Sequence, residues 1–300
     1  FVPSKRPASR GVFIGAPPPS IPLTMPRLSY QLIVIGGGHA GVEAAWAAAN
    51  ILREPHSVAL ITIDASKIGV MSCNPAIGGL AKGQLVREID ALNGLMALAT
   101  DATGIQFKVL NASKGEAVRG PRAQCDKHAY AEAVQALIRS RPEIDVIEGV
   151  VERLLVADGK MRGIEVRKAQ NTTAQISNQG SSNHGKHSES EGTSAPSLSF
   201  SALSFELSAP AVVLTTGTFM RGLMHTGETK TAGGRFGESA AVGISAALKD
   251  LGFELGRLKT GTPPRLKRDT IRWDDLEPAK GDDVPVPFSD LSGKGVEVSR

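Results

Sequence analysis

Three hundred residues, 41% hydrophobic with 33 glycines, suit one large or two modest α/β domains with ample core. No apolar run reaches the roughly 18 residues of a membrane span, so a soluble protein that does not engage a membrane is expected. The net charge of +4 and a pI near 9.1 admit an anionic partner and ordinary surface charge equally. Two cysteines, Cys73 and Cys125, and six scattered histidines give neither metal-ligand spacing nor a disulfide framework, so no metal and a reducing compartment are expected.

Residues 1–28 carry Lys5, Arg6, Arg10 and Arg27, with serines and many prolines, and the first acidic residue is Glu43. That composition reads as an organelle transit peptide. A disordered tail is the alternative, since Pro17 to Pro19 oppose a long amphipathic helix, and Met25 is a possible second start. Folding is expected to begin near Ser29.

Leu32 to Ile35 is a short apolar run that meets Gly36-x-Gly38-x-x-Gly41, and an alanine-rich helical segment, Val42 to Asn50, follows. Strand, tight turn and helix in this order bring a pyrophosphate onto backbone amides. Gly36, Gly37, Gly38, His39, Ala40 and Gly41 are therefore candidate dinucleotide-binding residues. Val58 to Ile63 reads as a second strand, and Asp64, 23 residues after Gly41, is placed to accept hydrogen bonds from an adenosine ribose.

In Lys67 to Gly83, Asn74 and Pro75 are expected to open a short helical turn. Cys73 beside that turn, with Lys82 nearby, is either an activated thiolate or a small buried cysteine. Leu85, Val86, Ile89, Leu92 and Leu95 have helical spacing and predict one amphipathic core helix. Residues 101–128 read as a glycine-punctuated cationic loop, with Arg119 and Arg122 suited to phosphate or nucleic acid or simply solvated. A helix from about Ala123 to Ser140, strand character over 145–156, and a hairpin through Ile164 and Val166 are expected next.

Residues 169–199 are rich in Ser, Asn, Gln, Thr and Gly and are expected to form a disordered insertion in a hairpin loop, with His184 and His187 incidental. Ala211 to Thr218 predicts a buried strand whose end, Thr216 and Gly217, leaves room at the crevice where a dinucleotide sits. Residues 219–240 read as loop and Ser239 to Leu251 as helix. Gly256 to Arg265 places Arg257, Lys259 and Arg265 around Thr-Gly-Thr-Pro-Pro, a rigid loop suited to an anion.

Six runs together resemble one family: Gly-Gly-Gly-His-Ala-Gly at 36–41, Ser-Cys-Asn-Pro-Ala-Ile-Gly-Gly at 72–79, Leu-Asn-Ala-Ser-Lys-Gly at 110–115, Arg-Ala-Gln at 122–124, Val-Leu-Thr-Thr-Gly-Thr-Phe at 213–219 and Gly-Arg-Leu-Lys-Thr-Gly-Thr-Pro-Pro-Arg at 256–265. It is the MnmG/GidA family, the large flavoprotein subunit of the tRNA wobble-uridine carboxymethylaminomethyl-modifying enzyme, with its mitochondrial counterpart. The resemblance implies an α/β fold: a doubly wound, Rossmann-type FAD-binding domain over 29–218, interrupted by the 169–199 insertion, with 219–300 opening an inserted substrate or NADH domain. It further implies FAD as cofactor, NADH as reductant, methylenetetrahydrofolate as one-carbon donor, and glycine or taurine as amine. The implied partners are tRNA, a GTPase subunit of the MnmE type, and a second copy in a full-length homodimer, with a mitochondrial matrix location.

By the same resemblance Cys73 is a functional cysteine, acting as nucleophile or general acid. Val151, Thr216 and Gly217 join the glycine turn and Asp64 as cofactor-binding, and Lys82, Arg119, Arg122, Lys259 and Arg265 are anion contacts. Cys125 is given no role. The family's second cysteine and its helical tRNA- and partner-binding domain are expected beyond Arg300, so the sequence reads as part of a longer enzyme. The rivals are another FAD/NADH oxidoreductase, a folate-dependent tRNA uridine methyltransferase, and a non-catalytic flavin-binding scaffold that presents tRNA. The Cys-Asn-Pro-Ala-Ile-Gly-Gly run argues against the first two.

Overall fold

The computed structural model describes residues 27–72, 74–168, 204–261, 264 and 266–292. Its elements in chain order are β1 (Leu32–Ile35), α1 (His39–Leu52), β2 (Val58–Thr62), β3 (Ala76–Gly78), α2 (Lys82–Ala91), α3 (Met96–Thr103), β4 (Gly104–Leu110), β5 (Gly120–Cys125), α4 (Lys127–Arg139), β6 (Ile144–Glu148), β7 (Val150–Ala157), β8 (Lys160–Arg167), β9 (Ser204–Ser208), β10 (Val212–Leu214), β11 (Leu223–Thr226), β12 (Thr229–Ala232) and α5 (Gly243–Asp250). The expectations over 1–26 and 169–199 lie outside the described residues.

β1 and β2 are short, apolar and rich in β-branched residues, as strands covered on both faces require. They form the centre of a four-stranded sheet in the order β10, β1, β2, β6, with every pairing parallel. Because side chains alternate along a strand, the sheet feeds two cores. Val34, Val58, Leu60 and Val146 pack against Val42, Ala45 and Ala49 of α1 and Tyr130, Val134 and Ile138 of α4. Ile33, Ile35, Ala59 and Ile61 face Val151, Ile164, Val166 and Leu207, which belong to the antiparallel sheet β7–β8–β9. Each fully buried Ile, Leu or Val contributes about 2 kcal/mol of apolar transfer.

The α/β Rossmann-type fold read from the sequence is present. Within it, helices cover one face of the parallel sheet and the β7–β9 sheet covers the other.

Several local expectations are corrected. Residues 76–78 form a strand, not a helical turn, because Ile77 pairs with Ala123 of β5 and Pro75 O accepts from Cys125 N at 2.8 Å. The expected cationic loop is mostly sheet: β4 and β5 pair antiparallel, with Phe107 in the core and Lys108 outward. The following helix starts at Lys127, where Asp126 accepts from His128 N at 2.9 Å and Ala129 N at 3.0 Å and so caps it. The single helix expected through Leu95 is two, α2 and α3, and Leu85 and Leu92 are exposed. Here Glu43 of α1 ends the ambiguity: its carboxylate accepts from Leu95 N at 3.1 Å and Met96 N at 2.6 Å, so a new helix starts there.

β10 is a sheet edge and only half-buried, and within the expected loop 219–240 residues 223–232 form a hairpin. α5 begins at Gly243, after Met220 and Ala241 form a bridge that holds the preceding segment extended. Residues 280–292 lie as a strap over β4 and α3. Asp282 accepts from Val109 N at 2.8 Å and donates its own N–H to Phe107 O at 2.8 Å, and Asp101 receives Phe288 N at 2.7 Å and Ser289 N at 2.8 Å. The strap seats Phe288 in the core.

Candidate dinucleotide site

The C-terminal ends of β1, β2 and β10 converge on a cavity of about 280 Å³. Its floor is the glycine turn. Gly36 has φ of +116°, which L side chains rarely adopt, and its N–H donates to Ile61 O at 2.8 Å, so the turn is tied to β2. Thr215 secures the opposite side, its Oγ1 donating to Ile35 O at 2.7 Å. A Cβ on Gly41 would lie 1.7 Å from Gly36 O, so only glycine lets α1 start this close to the turn. A Cβ on Gly38 would meet nothing within 4 Å. Gly38 is also the N-cap of α1, and no side chain caps that helix. The amides of its first turn have no intrahelical acceptors, and the helix dipole adds positive potential. A 14-residue helix that begins uncapped at a cavity wall is built to receive an anion.

Gly36, Gly37, Gly38, His39, Asp64, Val151, Thr216 and Gly217 all line this cavity. Gly41 is buried beneath the turn, and Ala40 is exposed on α1 away from the lining. Asp64 Oδ1 accepts from Ser66 N at 2.8 Å and Ser66 Oγ at 2.6 Å, which fixes the carboxylate at the β2 end of the cavity. Both contacts fall on one oxygen. Oδ2 has no partner among the described residues, so it is the atom Asp64 offers to a hydroxyl.

The proposed cationic contacts are placed elsewhere. Lys82 opens α2 on the surface, Arg119 donates to Ala112 O at 3.3 Å and approaches Glu116 at 3.6 Å, Arg122 stands on β5 opposite Gly78, and Lys259 is exposed. None of the four lines the cavity. Cys73 and Arg265 lie outside the described residues. Cys125 is buried, and burial first, with Asp101 and Asp126 adding, pushes its thiol up to about 12, which makes it a poor nucleophile at neutral pH.

The structure adds residues that reading along the chain missed: Ser72, Phe219, Arg235 and Glu238. Arg235 Nη1 donates to Glu238 Oε1 at 2.9 Å and Nη2 to Ser72 Oγ at 2.9 Å, with the guanidinium 5.6 Å above the Phe219 ring. Ser72 and Phe219 stand at the ends of two of the runs quoted above, and Arg235 lies in a Gly-Gly-Arg-Phe-Gly run at 233–237. His39 is held below its ordinary value, by burial first and then by the nearby Arg235 charge, both of which favour the neutral imidazole. Its ring lies 5.6 Å from Tyr130, and its Nε2 is buried without a partner among the described residues.

The chain matches the family model described as "Glucose inhibited division protein A" over residues 31–196 and 200–297. It is 47% identical over 264 residues to the tRNA uridine 5-carboxymethylaminomethyl modification enzyme MnmG of Granulibacter bethesdensis, covering 88% of this chain and 36% of that protein. The protein of the same name from Rhodopirellula baltica is 45% identical over 269 residues, covering 89% and 36%. Among solved structures, Aquifex aeolicus GidA in its form II crystal matches with a TM-score of 0.71 and 39% identity, covering 87% of this chain and 37% of that one. The chain thus spans a little over a third of the length of these relatives.

Proposed function

Because the chain belongs to the glucose-inhibited division protein A family, we propose that it is the FAD-binding part of an enzyme that modifies C5 of the wobble uridine of tRNA. The group installed is of the carboxymethylaminomethyl type or its taurinomethyl variant. One observation carries the reading: an uncapped helix N-terminus, a glycine turn open on its ligand side at Gly38, and the acid Asp64 share a single cavity. These residues fit the group. The first turn of α1 would hold the pyrophosphate, Asp64 the adenosine ribose, and the small residues Thr216 and Gly217 leave space where the second half of the dinucleotide runs.

When bound, the flavin supplies two-electron exchange, for which NADH is the proposed reductant and methylenetetrahydrofolate the one-carbon donor. The chain's own part is to fix the dinucleotide between β2 and β10 and to keep His39 neutral beside it. Cys73, next in sequence to the cavity-lining Ser72, is the proposed nucleophile or general acid. Partners on this reading are tRNA, a GTPase subunit and a second copy of the chain, in the mitochondrial matrix. Lys259, which is exposed and outside the cavity lining, and Arg265 are proposed as contacts to RNA phosphate.

The test is the visible spectrum of the purified protein with added FAD, followed by anaerobic titration with NADH. Flavin bands that bleach with NADH are expected. A protein that takes up no FAD at excess ligand refutes the cavity assignment, and bound flavin that stays oxidised refutes the choice of reductant.

A further inference from the structure

Arg221 follows the cavity-lining Met220, where the chain leaves the cavity for β11. Its φ is +46°, a left-handed conformation that residues other than Gly, Asn and Asp seldom adopt and that persists only where neighbours hold it. Two contacts do so. Arg221 N donates to Ala241 O at 2.8 Å, and Arg221 Nε donates to Ser245 Oγ at 2.7 Å. Ser245 is itself buried and donates to Val242 O at 2.8 Å, so the guanidinium is carried on a fixed arm, with no partner to either Nη among the described residues.

A second arginine comes to the same place. Arg257, 36 positions further along the chain, donates from Nη2 to Arg221 O at 3.3 Å. Both arginines are exposed, and neither has a carboxylate within 4.0 Å among the described residues. Arg235, by contrast, is paired with Glu238 at 2.9 Å. Glu152, the acid set against Gly243 at the start of α5, is already held by Arg167 at 2.8 Å. Two cations brought together without a counter-charge repel each other, and an anion relieves that repulsion. The anion that matches two planar guanidinium forks is a phosphate. Neither arginine lines the cavity, but Met220, Ala241 and Ile244 beside them do, so the pair stands at its rim.

We propose that Arg221 and Arg257 form a phosphate-binding pair at the rim of the cavity, which holds a second substrate rather than the dinucleotide inside. The phosphate is that of the nicotinamide dinucleotide reductant or of an RNA strand. The choice of these two sources rests on the proposed function, and the pair itself rests on the geometry.

The experiment uses the full-length protein and the variants Arg221→Gln, Arg257→Gln and Arg257→Lys. One arm takes the NADH concentration that half-saturates the rate of anaerobic flavin reduction. The other measures the dissociation constant of a fluorescein-labelled RNA stem-loop at two salt concentrations. Each Gln variant is expected to weaken binding at least about fivefold in one arm or both, and Arg257→Lys, which keeps the charge and lacks the fork, to weaken it less. If the phosphate belongs to RNA, the slope of log Kd against log salt also falls by about 1. FAD affinity is expected to stay within about twofold. A loss confined to NADH assigns the phosphate to the reductant, one confined to RNA assigns it to RNA, and a loss in both means that the two use the pair in turn. Unchanged binding in both arms overturns the pair, as does a loss of FAD affinity as large as the loss in either arm. Melting without ligand checks folding, and should Arg221→Gln melt lower, Arg257→Gln, which alters only an exposed side chain, carries the same expectation. Wild-type protein that takes up no FAD refutes the cavity reading instead, and the RNA arm then decides the pair alone.

Discussion

Adding one carbon at Gly41 and at Gly38 separates what the turn needs to fold from what it needs to bind. In Gly41→Ala the new Cβ would sit 1.7 Å from Gly36 O, half of an ordinary van der Waals separation, and 2.8 Å from Thr215 Oγ1. Neither neighbour is free to yield, since Gly36 N is bonded to Ile61 O and Thr215 Oγ1 to Ile35 O. Alanine gains about 1 kcal/mol over glycine inside a helix, but overpacking against fixed backbone costs about 3 kcal/mol or more, so a net loss of about 2 kcal/mol is expected. That lowers the melting temperature by roughly 4 to 8 °C. In Gly38→Ala nothing lies within 4 Å of the new carbon and φ is already −76°, so only the N-cap preference is lost, about 0.5 kcal/mol. Its methyl group instead stands where the dinucleotide approaches. Differential scanning fluorimetry without ligand, followed by FAD titration, reads both. Gly41→Ala should melt lower, whereas Gly38→Ala should melt like wild type and bind FAD at least about tenfold more weakly. Equal melting temperatures for the two variants, or full FAD affinity in Gly38→Ala, would refute the reasoning.

Three further outcomes follow from the packing. Burial raises Cys125 from 9.0 and Tyr30 from 10.0 to about 12 each, and raises Tyr130 as well. These groups stay protonated in the native state while the unfolded chain ionises, so their stabilisation is complete below pH 9 and is lost as pH rises, from above pH 9 for Cys125 and above pH 10 for Tyr30 through about 12, at up to about 1.4 kcal/mol per pH unit for each group. Urea midpoints that hold steady between pH 9 and 11 would contradict this. Replacing Glu43 by Ala strips two amide contacts from the start of α3 and should cost about 1 to 2 kcal/mol in urea unfolding, with Glu43→Gln recovering part of it. Asp101 is buried and receives Phe288 N, Ser289 N and Ser292 Oγ, so Asp101→Ala should loosen the 280–292 strap, at a cost of about 3 kcal/mol. Faster proteolytic cleavage near Phe288 is the readout, and an unchanged cleavage pattern would exclude the strap contact as its anchor.

What was legible in the sequence is what short-range chemistry decides. The apolar run into Gly36, the close approach at Gly41 and the acid at the end of β2 are each encoded within a few residues, and the parallel sheet follows from them. Expectations for residues 74–125 failed where distant partners override local preference. Asn74 and Pro75 carry helix-start chemistry, yet Cys125 N claims Pro75 O and draws the segment into a sheet. Leu92 has core spacing, but Glu43 captures the amides of Leu95 and Met96 and starts a new helix in another direction. Charge density alone did not point to the cavity: the cations over 108–122 lie on β4, β5 and the turns between them, outside its lining, while Arg235, which lines it together with Lys67, stands in a segment marked only by a short glycine-rich run. It is recognisable only through Ser72, Glu238 and Phe219, which the fold gathers from separate stretches of chain. A dinucleotide fold advertises its phosphate half locally because backbone amides and glycine do that work within one turn. The half that distinguishes one ring from another is assembled from side chains brought together over long distances, and there the three-dimensional structure is indispensable.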